Sequence, residues 1–169
     1  MSRPKWDEYF MLAAKLAATR STCLRLKVGC VIVLDKHIVS TGYNGTPDGC
    51  VHCDDAWNYR VDQDNLSKDF LKSEEFRKLH HEWSLNNEIH AEQNAIAFAA
   101  RLGLPTQNAT LYVTHSPCIN CAKLIVQTGI KRVVYLTKYD RGSQDSLDLF
   151  KNSGILCDEF IGNIDNFIL

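Results

Sequence analysis

Leu111-Tyr112-Val113-Thr114, then Pro117-Cys118-Ile119-Asn120-Cys121, then Val133-Val134-Tyr135-Leu136 is the stretch that decides the fold. Its two ends are short apolar runs rich in β-branched and aromatic residues, which suit buried strands. Pro117 suits the first turn of a short helix, where its missing N–H would be unpaired anyway, and Gly129 suits the end of that helix. Strand, helix and strand in this order form a crossover, and a crossover joins parallel strands.

Upstream, Val28-Gly29-Cys30-Val31-Ile32-Val33-Leu34 and Ile38-Val39-Ser40-Thr41-Gly42-Tyr43 are β-rich runs separated by Asp35-Lys36-His37, which reads as a hairpin. Before them, Ser2 and Pro4 supply start signals for a helix. Its apolar residues Phe10, Leu12, Ala13, Leu16 and Ala17 recur at helical spacing, and it is expected to end near Ser21. Asn44 to about Gln63 is rich in glycine, aspartate and histidine without a clear period, and is expected to be irregular. Asn65 or Ser67 is placed to cap a helix through Phe70, Leu71, Phe76 and Leu79, and a further helix runs from about His90 through Ile96 and Phe98 to Gly103. Downstream, Ser146 to Asn152 reads as a helix before a last strand near Ile155. The expectation is an α/β fold: a three-layer α/β/α domain over residues 1–169, with a mixed five-stranded sheet, right-handed crossovers and an irregular insertion at about 46–88.

At 169 residues the chain is long enough to bury roughly two thirds of its unfolded surface without covalent staples. A hydrophobic content of 45% and a charged content of 23% exclude a disordered chain. No apolar run approaches the ~20 residues that span a bilayer, and Met1 to Asp7 lacks the order of a secretion signal, so a cytoplasmic protein without membrane contact is expected. Seven cysteines, an odd number, point to reduced thiols and metal binding rather than a disulfide framework. With a net charge of -1 and no block of lysine or arginine, no polynucleotide partner is expected; a small anionic substrate needs only a few local cations.

His90-Ala91-Glu92 and the P-C-x-x-C segment carry the chemistry. One imidazole and two thiolates make a soft three-ligand zinc site with its fourth tetrahedral position left for water, and Glu92 stays free to move protons. A closed structural knot would normally supply a fourth cysteine or histidine instead. Cys118 and Cys121 lie three apart near a helix N-terminus, where unpaired N–H groups favour thiolate. Glu92 lies about 200° round an ideal helix from His90, so one or both must occupy its first, irregular turn.

This pairing resembles the signature of zinc-dependent nucleobase deaminases. Gly42-Tyr43-Asn44-Gly45, Asn87-Glu88-Ile89-His90-Ala91-Glu92, Tyr112-Val113-Thr114, Ser116-Pro117-Cys118 and Lys138-Tyr139 together resemble the deoxycytidylate deaminases, particularly the bacteriophage type, over roughly Lys27 to Gly154. The resemblance implies a cytidine deaminase-like fold. It implies hydrolysis of dCMP to dUMP and ammonia for thymidylate synthesis, with zinc on His90, Cys118 and Cys121 and with Glu92 as the catalytic proton carrier. Asn44, Ala91, Ser116, Pro117 and Tyr139 become substrate-binding candidates, with Arg25, Lys27 and Lys138 as candidates for the phosphate.

Phage-type relatives carry a second, structural zinc, whose ligand positions match Cys23, Cys53 and His80, with Glu88 as a fourth. Cys50, His52 and His81 are neighbouring substitutes, and Cys30 and Cys157 fall in strand-like runs that suit the core. The resemblance further implies activation by dCTP and inhibition by dTTP. These effectors would bind with Mg2+ as triphosphates at subunit contacts of a homo-oligomer, a hexamer rather than a dimer. Tyr43, Gly45 and Arg101 are the effector-binding candidates, although Arg101 serves equally as a cation at a helix C-terminus. The location implied is the cytoplasm, that of the host if the chain is phage-encoded. Three rivals share parts of the pattern: a tRNA adenosine deaminase, which calls for a more basic face; a free-cytidine deaminase, which lacks the insertion; and a non-enzymatic zinc-stabilised binding module.

Overall fold

The computed structural model describes residues 3–139 and 143–164. Its elements are α1 (Trp6–Ala18), β1 (Gly29–Leu34), β2 (His37–Tyr43), α2 (Cys53–Gln63), a 3-10 turn (Lys68–Lys72), α3 (Glu74–Asn87), α4 (Ala91–Leu102), β3 (Thr110–His115), α5 (Ile119–Gln127), β4 (Arg132–Thr137), α6 (Ser143–Asn152) and β5 (Leu156–Glu159). The five strands form one mixed sheet in the order β2-β1-β3-β4-β5. β1 is antiparallel to β2 and β3, whereas β3, β4 and β5 run parallel. The expected crossover from β3 through α5 to β4 is therefore present.

Strand alternation sends side chains to two cores. Cys30, Ile32, Leu111, Val113, Val133 and Tyr135 pack toward α4, α5 and α6, while Val31, Val33, Tyr112 and Val134 pack against Phe10, Met11 and Ala14 of α1. Helices thus cover both faces, as the three-layer reading requires. The hairpin turns through Asp35 and Lys36, both at positive φ, in the two-residue geometry whose twist matches the flanking strands. His37 already belongs to β2.

Three elements differ from the sequence expectation. Residues 53–63, expected to be irregular, form α2; its buried residues are only Cys53, Trp57 and Val61, so the apolar period is sparse. Asn65 and Ser67 cap no α-helix: Ser67 accepts from Asp69 N–H in the 3-10 turn, and Ser73 caps α3 by accepting from Phe76 N–H at 3.0 Å. α3 then continues to Asn87, well past Leu79. The insertion is therefore largely helical and holds a core of its own, Cys53, Trp57 and Phe76 with Cys23. At the N-terminus Ser2 lies outside the described residues; Glu8 caps α1 by accepting from Lys5 N–H at 2.7 Å. No helix among the described residues is long and apolar enough to cross a membrane.

Candidate functional site

Two helix N-termini meet beyond the end of β3. His90 is the residue flanking α4, with φ -72° and ψ 155°, so it is extended while Glu92 lies inside the first turn. The angular problem posed by an ideal helix is resolved by that break. α4 is fixed on β2: Ser40 Oγ donates to Ala95 O at 2.6 Å and Asn94 Nδ2 donates to Tyr43 O at 2.9 Å. A Cβ on Gly42 would overlap the Ala91 carbonyl oxygen and the Ala95 nitrogen, so glycine is what allows this approach. Cys118 likewise flanks α5, and Cys121 occupies its first turn.

His90 Nδ1 lies 3.5 Å from Cys118 Sγ and 3.4 Å from Cys121 Sγ. Zinc bound at its usual N and S distances in a tetrahedron has an N to S edge of about 3.6 Å, so this donor set fits the ion. Glu92 stands outside the set of three. A hydrogen bond from the Cys121 thiol, and then one from His90, pulls the Cys118 thiol down to about 3, while the Cys121 thiol is pushed up. His90 is raised, chiefly by its contact with Cys118. Glu92 is only 4% exposed, and burial raises its carboxyl.

His90, Glu92 and Cys118 line a cavity of about 900 Å³, and Cys121 is buried outside its lining. Of the expected substrate residues, Asn44, Ala91, Ser116, Tyr139, Arg25 and Lys138 line it; Lys27 and Pro117 do not. Asn44 spends part of its amide on the chain beside it, Oδ1 accepting from Val28 N–H and Nδ2 donating to Leu26 O, both at 2.8 Å. Tyr43, Gly45 and Arg101 lie off the cavity, Arg101 exposed in the last turn of α4.

Sequence reasoning missed the cavity wall formed by α3, which presents Arg77, His81, Ser84 and Leu85, with Glu88 just past its end. Their helical spacing was the available signal, but it is a polar stripe, invisible to a search for apolar periods. His115 was missed as well; it borders the cavity, and burial lowers its imidazole.

A second group, Cys23, Cys53, His80 and Glu88, ties the insertion to the loop after α1. His80 Nε2 lies 3.5 Å from Cys23 Sγ and 3.2 Å from Cys53 Sγ. Burial raises the Glu88 carboxyl to about 7, and its buried Oε1 has no hydrogen-bond partner among the described residues. Two thiols, an imidazole and a carboxylate oxygen in want of a partner also suit a zinc ion. Cys50 and His52 are exposed and outside the group, and His81 faces the catalytic cavity instead. Ile89, between Glu88 and His90, exchanges two backbone hydrogen bonds with Gly45, at 3.2 and 2.8 Å. All seven cysteines are free; Cys30 is fully buried in the core, and Cys157 packs partly exposed against it.

A family model described as the cytidine and deoxycytidylate deaminase zinc-binding region matches residues 4–137. The deoxycytidylate deaminase of enterobacteria phage T2 is 42% identical over 160 residues, covering 84% of this chain and 85% of the relative. That of Saccharomyces cerevisiae is 40% identical and covers 95% of this chain but 46% of the longer yeast protein. Among solved structures, the dCMP deaminase of cyanophage S-TIM5 in complex with dCMP and dUMP superposes with a TM-score of 0.71 at 28% identity, covering 95% of this chain and 100% of that one.

Proposed function

This chain belongs to the cytidine and deoxycytidylate deaminase family, and from that premise we propose that it hydrolyses dCMP to dUMP and ammonia. The observation that carries the reading is the three-donor set of His90, Cys118 and Cys121, of which His90 and Cys118 line a cavity together with a buried acid, Glu92, that is not one of the donors. Zinc on those three residues would supply a water acidic enough to lose a proton near neutral pH. Glu92 accepts that proton and delivers it to the ring nitrogen of cytosine; it then takes the second proton of the water from the hydroxyl added to the ring carbon and passes it to the departing amine, and its raised affinity for protons suits both directions of transfer. The net change is addition of water at the amino-bearing carbon and loss of ammonia. Asn44 and Ala91 face the nucleoside, and Arg25, Lys138 and the newly found Arg77 provide cations around the cavity for the phosphate.

The same reading assigns the second group of ligands a structural zinc and treats the chain as one deaminase domain working in the cytoplasm, where thiols stay reduced. It extends to dCTP and dTTP as Mg2+-bound effectors of a hexamer, with Tyr43, Gly45 and Arg101 at the effector contacts. Side-by-side ammonia release from dCMP, CMP, deoxycytidine and adenosine, with and without dCTP or dTTP, tests it. dCMP is expected to be turned over fastest. Equal rates on deoxycytidine and dCMP would remove the phosphate contacts, and turnover of adenosine alone would overturn the substrate.

A further inference from the structure

We infer that Ser116 is a positioning residue: its hydroxyl, by accepting the Tyr139 backbone N–H, locks the cavity lip at residues 137–139 to the entrance of the helix that carries Cys118 and Cys121. The inference rests on the dCMP reading only for its kinetic arm. Ser116 was expected to touch the substrate. It lines the cavity, and its side chain accepts from Tyr139 N at 2.7 Å, while its own N–H donates to Thr137 O at 2.9 Å, and the residue is only 4% exposed.

The place of these two bonds gives them their effect. The parallel pairing of β3 and β4 ends at His115 opposite Thr137, so beyond it no ladder holds the two chains together. Ser116 supplies the next two links. On one side Pro117, with its fixed φ, leaves little slack before Cys118. On the other, Thr137, Lys138 and Tyr139 all line the cavity. A single hydroxyl thus sets the distance between the donor set and the opposite lip. Alanine would keep the strand bond but leave the Tyr139 N–H unpaired, and the lip would be free to shift away from the substrate.

Steady-state kinetics of Ser116→Ala, Ser116→Thr, Tyr139→Pro and the Ser116→Ala/Tyr139→Pro double variant test the idea. Losing one hydrogen bond should raise KM for dCMP about fivefold in Ser116→Ala, with kcat within about twofold and zinc content unchanged. Threonine keeps the hydroxyl and should restore KM. Proline at 139 removes the N–H itself, so if Ser116 acts through that bond the double variant has the KM of Tyr139→Pro alone; additive losses mean that the serine touches substrate directly, and they overturn the proposal. A fall in kcat accompanied by zinc loss also overturns it. Amide hydrogen exchange at Tyr139, read by NMR, needs no substrate at all: exchange should be slow in the wild type and in Ser116→Thr and about fivefold faster in Ser116→Ala. Equal exchange in all three sinks the proposal, whereas absence of dCMP turnover with this pattern intact sinks only the substrate reading.

Discussion

Among the described residues, Glu92 differs from the other acids in being buried at 4% exposure beside a donor set it does not join. Burial raises its carboxyl, so the group can be protonated and deprotonated within one catalytic cycle rather than remaining a fixed charge. Glu92→Gln keeps the shape and removes the proton transfer. We expect kcat to fall by about 10²- to 10⁴-fold, the usual contribution of a positioned acid–base group, with one zinc still bound to His90, Cys118 and Cys121. Ammonia release together with metal analysis decides it; a variant keeping a tenth of the activity would strip Glu92 of its role. This residue and its three neighbours were legible in the sequence because each motif is short and local. Ser116 was legible as a member of the site but not in its bonding, because its partner, Tyr139, is on another strand exit and the pairing exists only in three dimensions.

Among the elements, the hairpin, β3 and β4 were legible as short apolar runs rich in β-branched residues, and α4 and α5 by the helical spacing of their apolar residues and the Gly103 and Gly129 that follow them. α2 and α3 were not. α2 buries only Cys53, Trp57 and Val61, and α3 only Phe76 and His80, so neither has a broad apolar stripe. Their packing rests instead on an aromatic knot, Trp57 edge-on to Phe76 with centroids 5.0 Å apart, and on the group of Cys23, Cys53, His80 and Glu88. Contacts among two thiols, an imidazole and a carboxyl stand where apolar area would, and periodicity cannot register them. Metal analysis should therefore find two zinc ions per wild-type chain and one in His80→Ala. The thermal midpoint of that variant should drop by roughly 10 °C, the shift of about 3 kcal/mol in a chain of this size. Proteolysis should then begin between α2 and α3. A single zinc in both proteins would remove the structural role of this group.

Across the whole molecule, the two ends of the parallel strands divide the work. The donor set and cavity lie beyond the C-terminal ends of β3 and β4, where open α/β sheets place their ligands. At the opposite end, Arg132 opens β4 and joins three elements: its two terminal nitrogens donate to Asp7 of α1, each at 2.9 Å, and its Nε donates to Asp158 of β5 at 2.8 Å. Tyr112 adds an O–H bond to Asp7 at 2.6 Å. The bond from Arg132, and then that from Tyr112, outweighs burial and holds the Asp7 carboxyl below its ordinary 3.8. A carboxyl with a depressed folded pKa stabilises the fold above its unfolded pKa and loses that contribution as pH falls through the folded value. The Arg132 and Asp7 side chains are 31% and 39% exposed, so water and salt screen the pair. Asp7→Asn should therefore cost only about 1 kcal/mol at pH 7. Urea unfolding of wild type and Asp7→Asn, compared from pH 7 downward, should show that difference constant to about pH 5 and then shrinking below about pH 4. Taking the difference cancels the acid loss of zinc, which both proteins share. Because the network lies at the far end of the sheet from Glu92, kcat and KM of Asp7→Asn should stay within about twofold of wild type. A stability difference independent of pH would mean that the Asp7 charge contributes nothing and that its hydrogen-bonding shape alone holds α1 to the sheet.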